Sequence, residues 1–158
     1  MKSPRPCGSF RMGEPASERA GAFWRAKSLA QMSTAEWESL CDGCGKCCLH
    51  KIRETTGVLK MTNVACRLLD TTSCRCGNYP RRKALVPDCV VLTPASLAAI
   101  DWLPATCAYR LLKDGNDLPE WHPLVTGDPL SVHAAGISMR DRCISERDAG
   151  PLQDHVTS

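Results

Sequence analysis

Cys41-Asp42-Gly43-Cys44-Gly45-Lys46-Cys47-Cys48 is the stretch on which the reading of this chain turns. Two residues between successive cysteines let their sulfurs converge on one centre from a tight turn. Gly43 and Gly45 suit such turns, which need positive φ and leave backbone N–H groups free to bond sulfur. Lys46 adds positive charge that favours deprotonated thiols. The C-x-x-C-x-x-C spacing also suits an iron–sulfur cluster completed by one distant cysteine, although the C-P ending of bacterial ferredoxins is absent. Cys47 and Cys48 are adjacent. In an extended chain successive side chains point to opposite faces, so these two are expected to serve different metals or opposite sides of a cluster.

Outward from this motif lie Cys66, Cys74, Cys76, Cys89 and Cys107. With the first four they make nine candidate ligands, enough for two four-thiolate centres and one spare. Two zinc ions, or one iron–sulfur cluster and one zinc, satisfy the count, and spacing does not choose between them. Cys74 and Cys76 are separated only by Arg75, so one of them is a candidate for the spare. Cys7 stands alone near the N-terminus and is left out of the site. Disulfides are the competing explanation, but the N-terminal sequence has no secretory signal, which points to a reducing, cytoplasmic compartment. His50 follows the motif by two residues and could replace a thiolate. His122 is expected to pack on the indole of Trp121, and His133 and His155 carry no specific signal. Asp42 and Asp88 each adjoin a cysteine and read as turn residues or as partners of the ligands.

Composition leads to the same place. Among 158 residues, Leu, Ile, Val and Phe number 30, while cysteines number eleven. A chain short of apolar volume and rich in sulfur recruits metal or disulfides to hold itself together. The formal net charge of +3 divides into +4 over residues 1–30 and −1 over the rest, so the body lacks the basic face of a nucleic-acid binder. Arg75, Arg81, Arg82 and Lys83 form a local basic cluster, read as a solvated loop that also lowers nearby thiol pKa values. No apolar run is long enough to cross a membrane. No nucleophile elbow, Walker loop, dinucleotide fingerprint or paired carboxylates appear.

Residues 1–21 are rich in Pro, Gly and Ser without apolar periodicity and read as a disordered extension to a single domain over 22–158. Phe23 to Met32 suggests a short amphipathic helix. Ser33-Thr34-Ala35-Glu36 is a capping box opening a helix that runs up to Cys41. Ile52 and Val58–Met61 flank Thr56-Gly57, a candidate hairpin. Residues 66–90 read as irregular loop. Thr93-Pro94 opens a helix through Ile100, and another covers 107–113 before Asp114-Gly115. Short helices and turns follow. The fold class is α+β: small, irregular and stabilised by metal, with at most a minor hairpin.

The segments AEWESLCDGCGKCCLHK, TNVACRLLD, CRCGNYPRRKALVPDC, DWLPATCAYRLL and PEWHPLVTG resemble the bacterial YcgN family, within the wider CxxCxxCC group of zinc- or iron-chelating domains. The resemblance runs from about Phe23 to His155. The wider group's pattern falls on Cys41, Cys44, Cys47, Cys48, Cys66, Cys76 and Cys89, whereas Cys74 and Cys107 match only the narrower family. That group also looks distantly related to flagellin lysine N-methylase, an iron–sulfur enzyme. The resemblance implies a zinc or iron protein whose ion is its expected partner. The alternatives are an iron–sulfur enzyme of redox or methyl-transfer chemistry, and a structural-zinc module presenting the Trp102–Trp121 region to a protein.

Overall fold

Ile52 and the Val58–Met61 run form the predicted hairpin. Strands β1 (Leu49–Arg53) and β2 (Leu59–Ala65) pair antiparallel, from Arg53 opposite Leu59 to Leu49 opposite Ala65, with an irregularity between Leu49 and Lys51. The turn between them closes through Gly57 N–H to Glu54 O at 2.9 Å and Glu54 N–H to Val58 O at 2.8 Å. A two-residue strand β3 (Ile144–Ser145) adds to β2 in parallel, with Ala65 opposite Ser145, so the sheet order is β1-β2-β3. The structure is a computed structural model and describes residues 22–157. The extension at 1–21 and its Cys7 lie outside the described residues.

Helices are short throughout. The expected Phe23–Met32 helix is broken into α1 (Phe23–Ala26) and a 3-10 turn at Leu29–Gln31, since Lys27 and Ser28 are extended. Helix α2 (Thr34–Ser39) starts at the predicted box: Ser33 Oγ accepts from Glu36 N–H at 3.1 Å and Glu36 Oε1 from Ser33 N–H at 2.9 Å. Residues 66–90 are not wholly irregular, holding a 3-10 turn at Tyr79–Arg81 that runs into α3 (Arg82–Leu85). Thr93 caps α4 (Pro94–Leu97), which ends three residues before Ile100. Helix α5 (Ala108–Lys113) follows, then α6 (Pro123–Thr126), α7 (Ser131–Ala134) and α8 (Glu146–Ala149). Helices and sheet together are the α+β class that the sequence predicts.

Two separate apolar clusters hold these pieces. The larger gathers Trp24, Trp37, Leu40, Leu97, Leu103, Ala108, Tyr109 and Leu118 from the helices. Its centre is the Trp37–Tyr109 ring pair, with centroids 4.8 Å apart. Both polar tips are satisfied: Trp37 Nε1–H donates to Leu92 O at 3.0 Å and Tyr109 Oη–H to Trp37 O at 2.8 Å. Such a pair contributes about 0.5–1.5 kcal/mol beyond its area. The smaller cluster is Leu49, Ala65 and Leu69 under the sheet, with Cys48, Met139 and Cys143 packed on it. Three buried side chains make a thin core, and the cysteine motif lies between the two clusters. No helix among the described residues is long and apolar enough to cross a membrane.

Candidate metal centre

Helix α2 stops at Leu40, and the chain then makes two left-handed turns, at Gly43 (φ +79°) and Gly45 (φ +78°). These are the positive φ values for which glycine is suited. Asp42, itself buried, closes the first turn by accepting Cys44 N–H on Oδ1 at 2.9 Å. Gly45 starts a 3-10 turn at Lys46–Cys48 that leads into β1. This turn corrects the expectation for Cys47 and Cys48. Consecutive residues of a 3-10 turn do not alternate between opposite faces as they do in a strand, and the two thiols lie within hydrogen-bonding reach of each other.

A cleft of about 480 Å³ opens between the two clusters. Cys41, Cys47, Cys48, Cys66, Cys74, Cys76 and Cys89 line it, together with Trp37, Tyr109 and Trp102. Cys44 lies buried behind the wall. All ten cysteines of the described residues are free thiols. Electrostatic neighbourhood sorts them. Cys41, Cys44, Cys47 and Cys107 form one group: Cys47 acts on each of the other three, and the buried Asp42 acts on all four. Cys48 joins this group through Cys47. Cys66, Cys76 and Cys89 form a second group. Cys74 stands apart with φ +58°, its thiol against Met139 N–H and near Cys143, a residue that sequence reasoning left out. Among the described residues no three His, Cys, Asp or Glu side chains stand together as a finished ligand shell.

Burial pushes the Cys41 thiol up to about 12, with the Cys47 charge adding to it. Cys44 is driven up by burial and then by Asp42, and Cys107 by burial. Cys47 rises first through its thiol contact with Cys48 and then through burial. The cation that opposes this at Cys47 is Lys51, whose ammonium lies 4.1 Å from the Trp102 ring centre and donates to Leu49 O at 2.7 Å. Burial holds the Lys51 pKa below its ordinary value. Of the expected basic cluster, Arg82 lies 3.7 Å over the Tyr79 ring, and Lys83 donates to Cys89 O at 3.0 Å.

The donor chemistry suits a zinc or iron ion. Against the effect of burial, neighbouring backbone N–H groups favour the thiolate at Cys41 (Gly43), Cys44 (Lys46), Cys66 (Leu68) and Cys107 (Arg110 and Tyr109). Such bonds orient and stabilise thiolates bound to metal. Asp42 Oδ2 is buried and has no hydrogen-bond partner. Thiols that give up their protons here would leave negative charge in a buried place, and a divalent cation would supply the countercharge.

The histidines separate clearly. His122 is fully buried beside Trp121, with rings stacked at 6.3 Å. Its Nε2–H donates to Leu40 O at 2.9 Å and its Nδ1 accepts from Leu124 N–H at 3.0 Å. Burial lowers its pKa, and both nitrogens are used in holding the loop ahead of Cys41. His133 Nδ1 meets Ser138 Oγ at 2.6 Å, and His155 Nε2 meets Ala149 O at 2.7 Å. His50 lines the cleft and pairs with Glu146.

Residues 40–108, the span of all nine candidate ligands, match a family described as "CxxCxxCC: Putative zinc- or iron-chelating domain". A UPF0260 protein of Granulibacter bethesdensis is 62% identical over 137 residues, covering 86% of this chain and 82% of that protein. UPF0260 proteins of Gluconacetobacter diazotrophicus and Gluconobacter oxydans are each 63% identical over 135 residues, covering 85% of this chain and 84% and 83% of theirs. No solved structure matches the chain. With identities this high over most of both partners, the chain belongs to the UPF0260 protein family.

Proposed function

We propose that this protein chelates zinc or iron, as single ions or as an iron–sulfur cluster, through the thiols of the cleft. The observation that carries the reading is that seven free thiols, those of Cys41, Cys47, Cys48, Cys66, Cys74, Cys76 and Cys89, line one cleft. An apolar packing role for these cysteines would not gather them along an open cleft. The first centre uses Cys41, Cys44, Cys47 and Cys107, with Cys48 beside them, and the second uses Cys66, Cys76 and Cys89. Cys74 is the spare sulfur. Residues 22–158 form one domain in which metal and fold are coupled, because the three-residue core under the sheet is thin. A reducing compartment such as the cytoplasm keeps these thiols available. The description of the matching family agrees with this chemistry.

Cys44→Ser tests the reading. It is expected to lower both bound metal and melting temperature, since the sulfur is at once a ligand and buried. Unchanged metal stoichiometry and an unchanged melt in that variant would count against it.

A further inference from the structure

One stretch of the chain walls the cleft without being packed into either core. No residue from Arg75 to Ser96 is buried, although Cys74 before it and Leu97 after it are. Both ends of the stretch are fixed. At one, Cys76 pairs with Leu69, and Gly77 N–H donates to Leu68 O at 2.7 Å. At the other, Thr93 caps α4 and Leu97 enters the larger apolar cluster. Between these ends, residues 78–92 face the cleft through Tyr79, Arg82, Val86 and Cys89.

Little holds this wall to the body. Ser96 Oγ–H reaches Val91 O at 3.1 Å within the α4 cap. Beyond that, among the described residues, three hydrogen bonds and no ion pair tie it down. Tyr79 Oη–H donates to Glu38 Oε2 at 2.5 Å, Arg67 Nη2–H to Leu85 O, and Trp37 Nε1–H to Leu92 O at 3.0 Å. Its other bonds are internal: Val86 N–H donates to Arg82 O at 2.8 Å, and Cys89 N–H to Val86 O at 2.9 Å. A segment that buries little apolar surface and bonds mainly to itself opens at low cost, and opens as a unit.

Tyr79 is placed to act as the latch. Its side chain is 46% exposed, so packing does not fix it. Arg82, 3.7 Å over the ring, and the Glu38 carboxylate do. Glu38 stands on α2, across the cleft from α3. Cys66 lies behind the wall, since its neighbour Arg67 is the residue that holds Leu85 O. Cys47, on the same cleft, is already exposed.

We propose that residues 78–92 form a strap that swings from the cleft as a unit, latched shut by Tyr79 on Glu38, and that its opening controls access to the Cys66 thiol. This does not depend on what the thiols bind.

The test is hydrogen exchange of the full chain, followed by mass spectrometry at several low denaturant concentrations. Peptides covering 79–92 are expected to exchange well before those of β2, at a rate nearly independent of denaturant, yet more slowly than an unstructured peptide. Tyr79→Phe keeps the ring and its Arg82 stack but removes the latch. It is expected to speed strap exchange by about 2–10-fold, with β2 unchanged. Alkylation of Cys66 by iodoacetamide is expected to rise by the same factor, and that of Cys47 to stay as it was. Strap and β2 exchanging together in the native chain would overturn the proposal, as would a strap exchanging at the unstructured rate, and neither measurement needs a variant. Unchanged strap exchange in Tyr79→Phe would remove the latch, and faster exchange with unchanged Cys66 alkylation would remove the control of access.

Discussion

The Cβ of Cys74 lies 3.3 Å from the position where a side chain on Gly45 would begin, and its Sγ lies 3.4 Å from that point. Two residues 29 apart in sequence thus lock the metal-binding loop against the 66–90 segment, and both are in left-handed conformations. Gly45→Ala would add strain at φ +78° and press on a buried side chain with nowhere to go, costing about 1–3 kcal/mol. Gly43→Ala has the same φ penalty but would meet only the mobile end of Arg75, at 3.4 Å. Thermal melts of the two variants are expected to show Gly45→Ala as the more destabilised. Equal losses would remove Cys74 from this role.

Metal uptake is expected to release protons. The thiols of Cys41, Cys44, Cys47 and Cys107 are all raised, and an ordinary thiol with a pKa of about 8.5 is already mostly protonated at neutral pH. Each thiolate bond to metal therefore displaces a proton, roughly four per ion at an all-sulfur site, and apparent affinity climbs as pH rises. Zinc titration in weak buffer with a pH indicator measures the release. Fewer than about two protons per zinc would contradict a thiolate site.

His122 sets the acid limit. Its folded-state pKa is lowered by burial, so below the ordinary histidine value of about 6.5 the unfolded chain binds a proton that the folded chain refuses. Stability from this group is full above that value and falls as pH drops toward the folded pKa, with a slope approaching about 1.4 kcal/mol per pH unit. His122→Gln is expected to be less stable at pH 7.5 and to show a shallower fall between pH 6.5 and 5. An unaltered slope in denaturant melts would show that other groups set the limit.

The capping box at Ser33 starts α2, the helix that leads into the cysteine loop. Ser33→Ala removes the acceptor for Glu36 N–H and is expected to cost about 1 kcal/mol, seen as a lower melting temperature with metal content unchanged. Loss of metal in this variant would show the helix end to be part of the centre.

Local chemistry was readable in the sequence wherever it acts over a few residues. The Ser33 and Thr93 caps, the turn at Thr56-Gly57 and the positive φ of Gly43 and Gly45 all follow from residue type and spacing. The pairing of Cys47 with Cys48 was misread because the strand rule was applied to a turn that Gly45 starts as a 3-10. Helix α4 ends early since its last residues close only short turns, Ala99 N–H to Ser96 O and Ile100 N–H to Leu97 O. Cys143 and the His50–Glu146 pair were invisible for another reason. They depend on β3, a two-residue parallel strand with no hydrophobic pattern, which joins Glu146 to a residue 96 positions earlier.

The most direct test of the account is metal and acid-labile sulfide analysis of the anaerobically purified chain, with an absorption spectrum of the same sample. The account predicts stoichiometric zinc with no visible colour, or iron with matching sulfide and visible absorbance if the thiols hold a cluster. A folded chain carrying neither metal, with its cysteines titrating as free thiols, would contradict it.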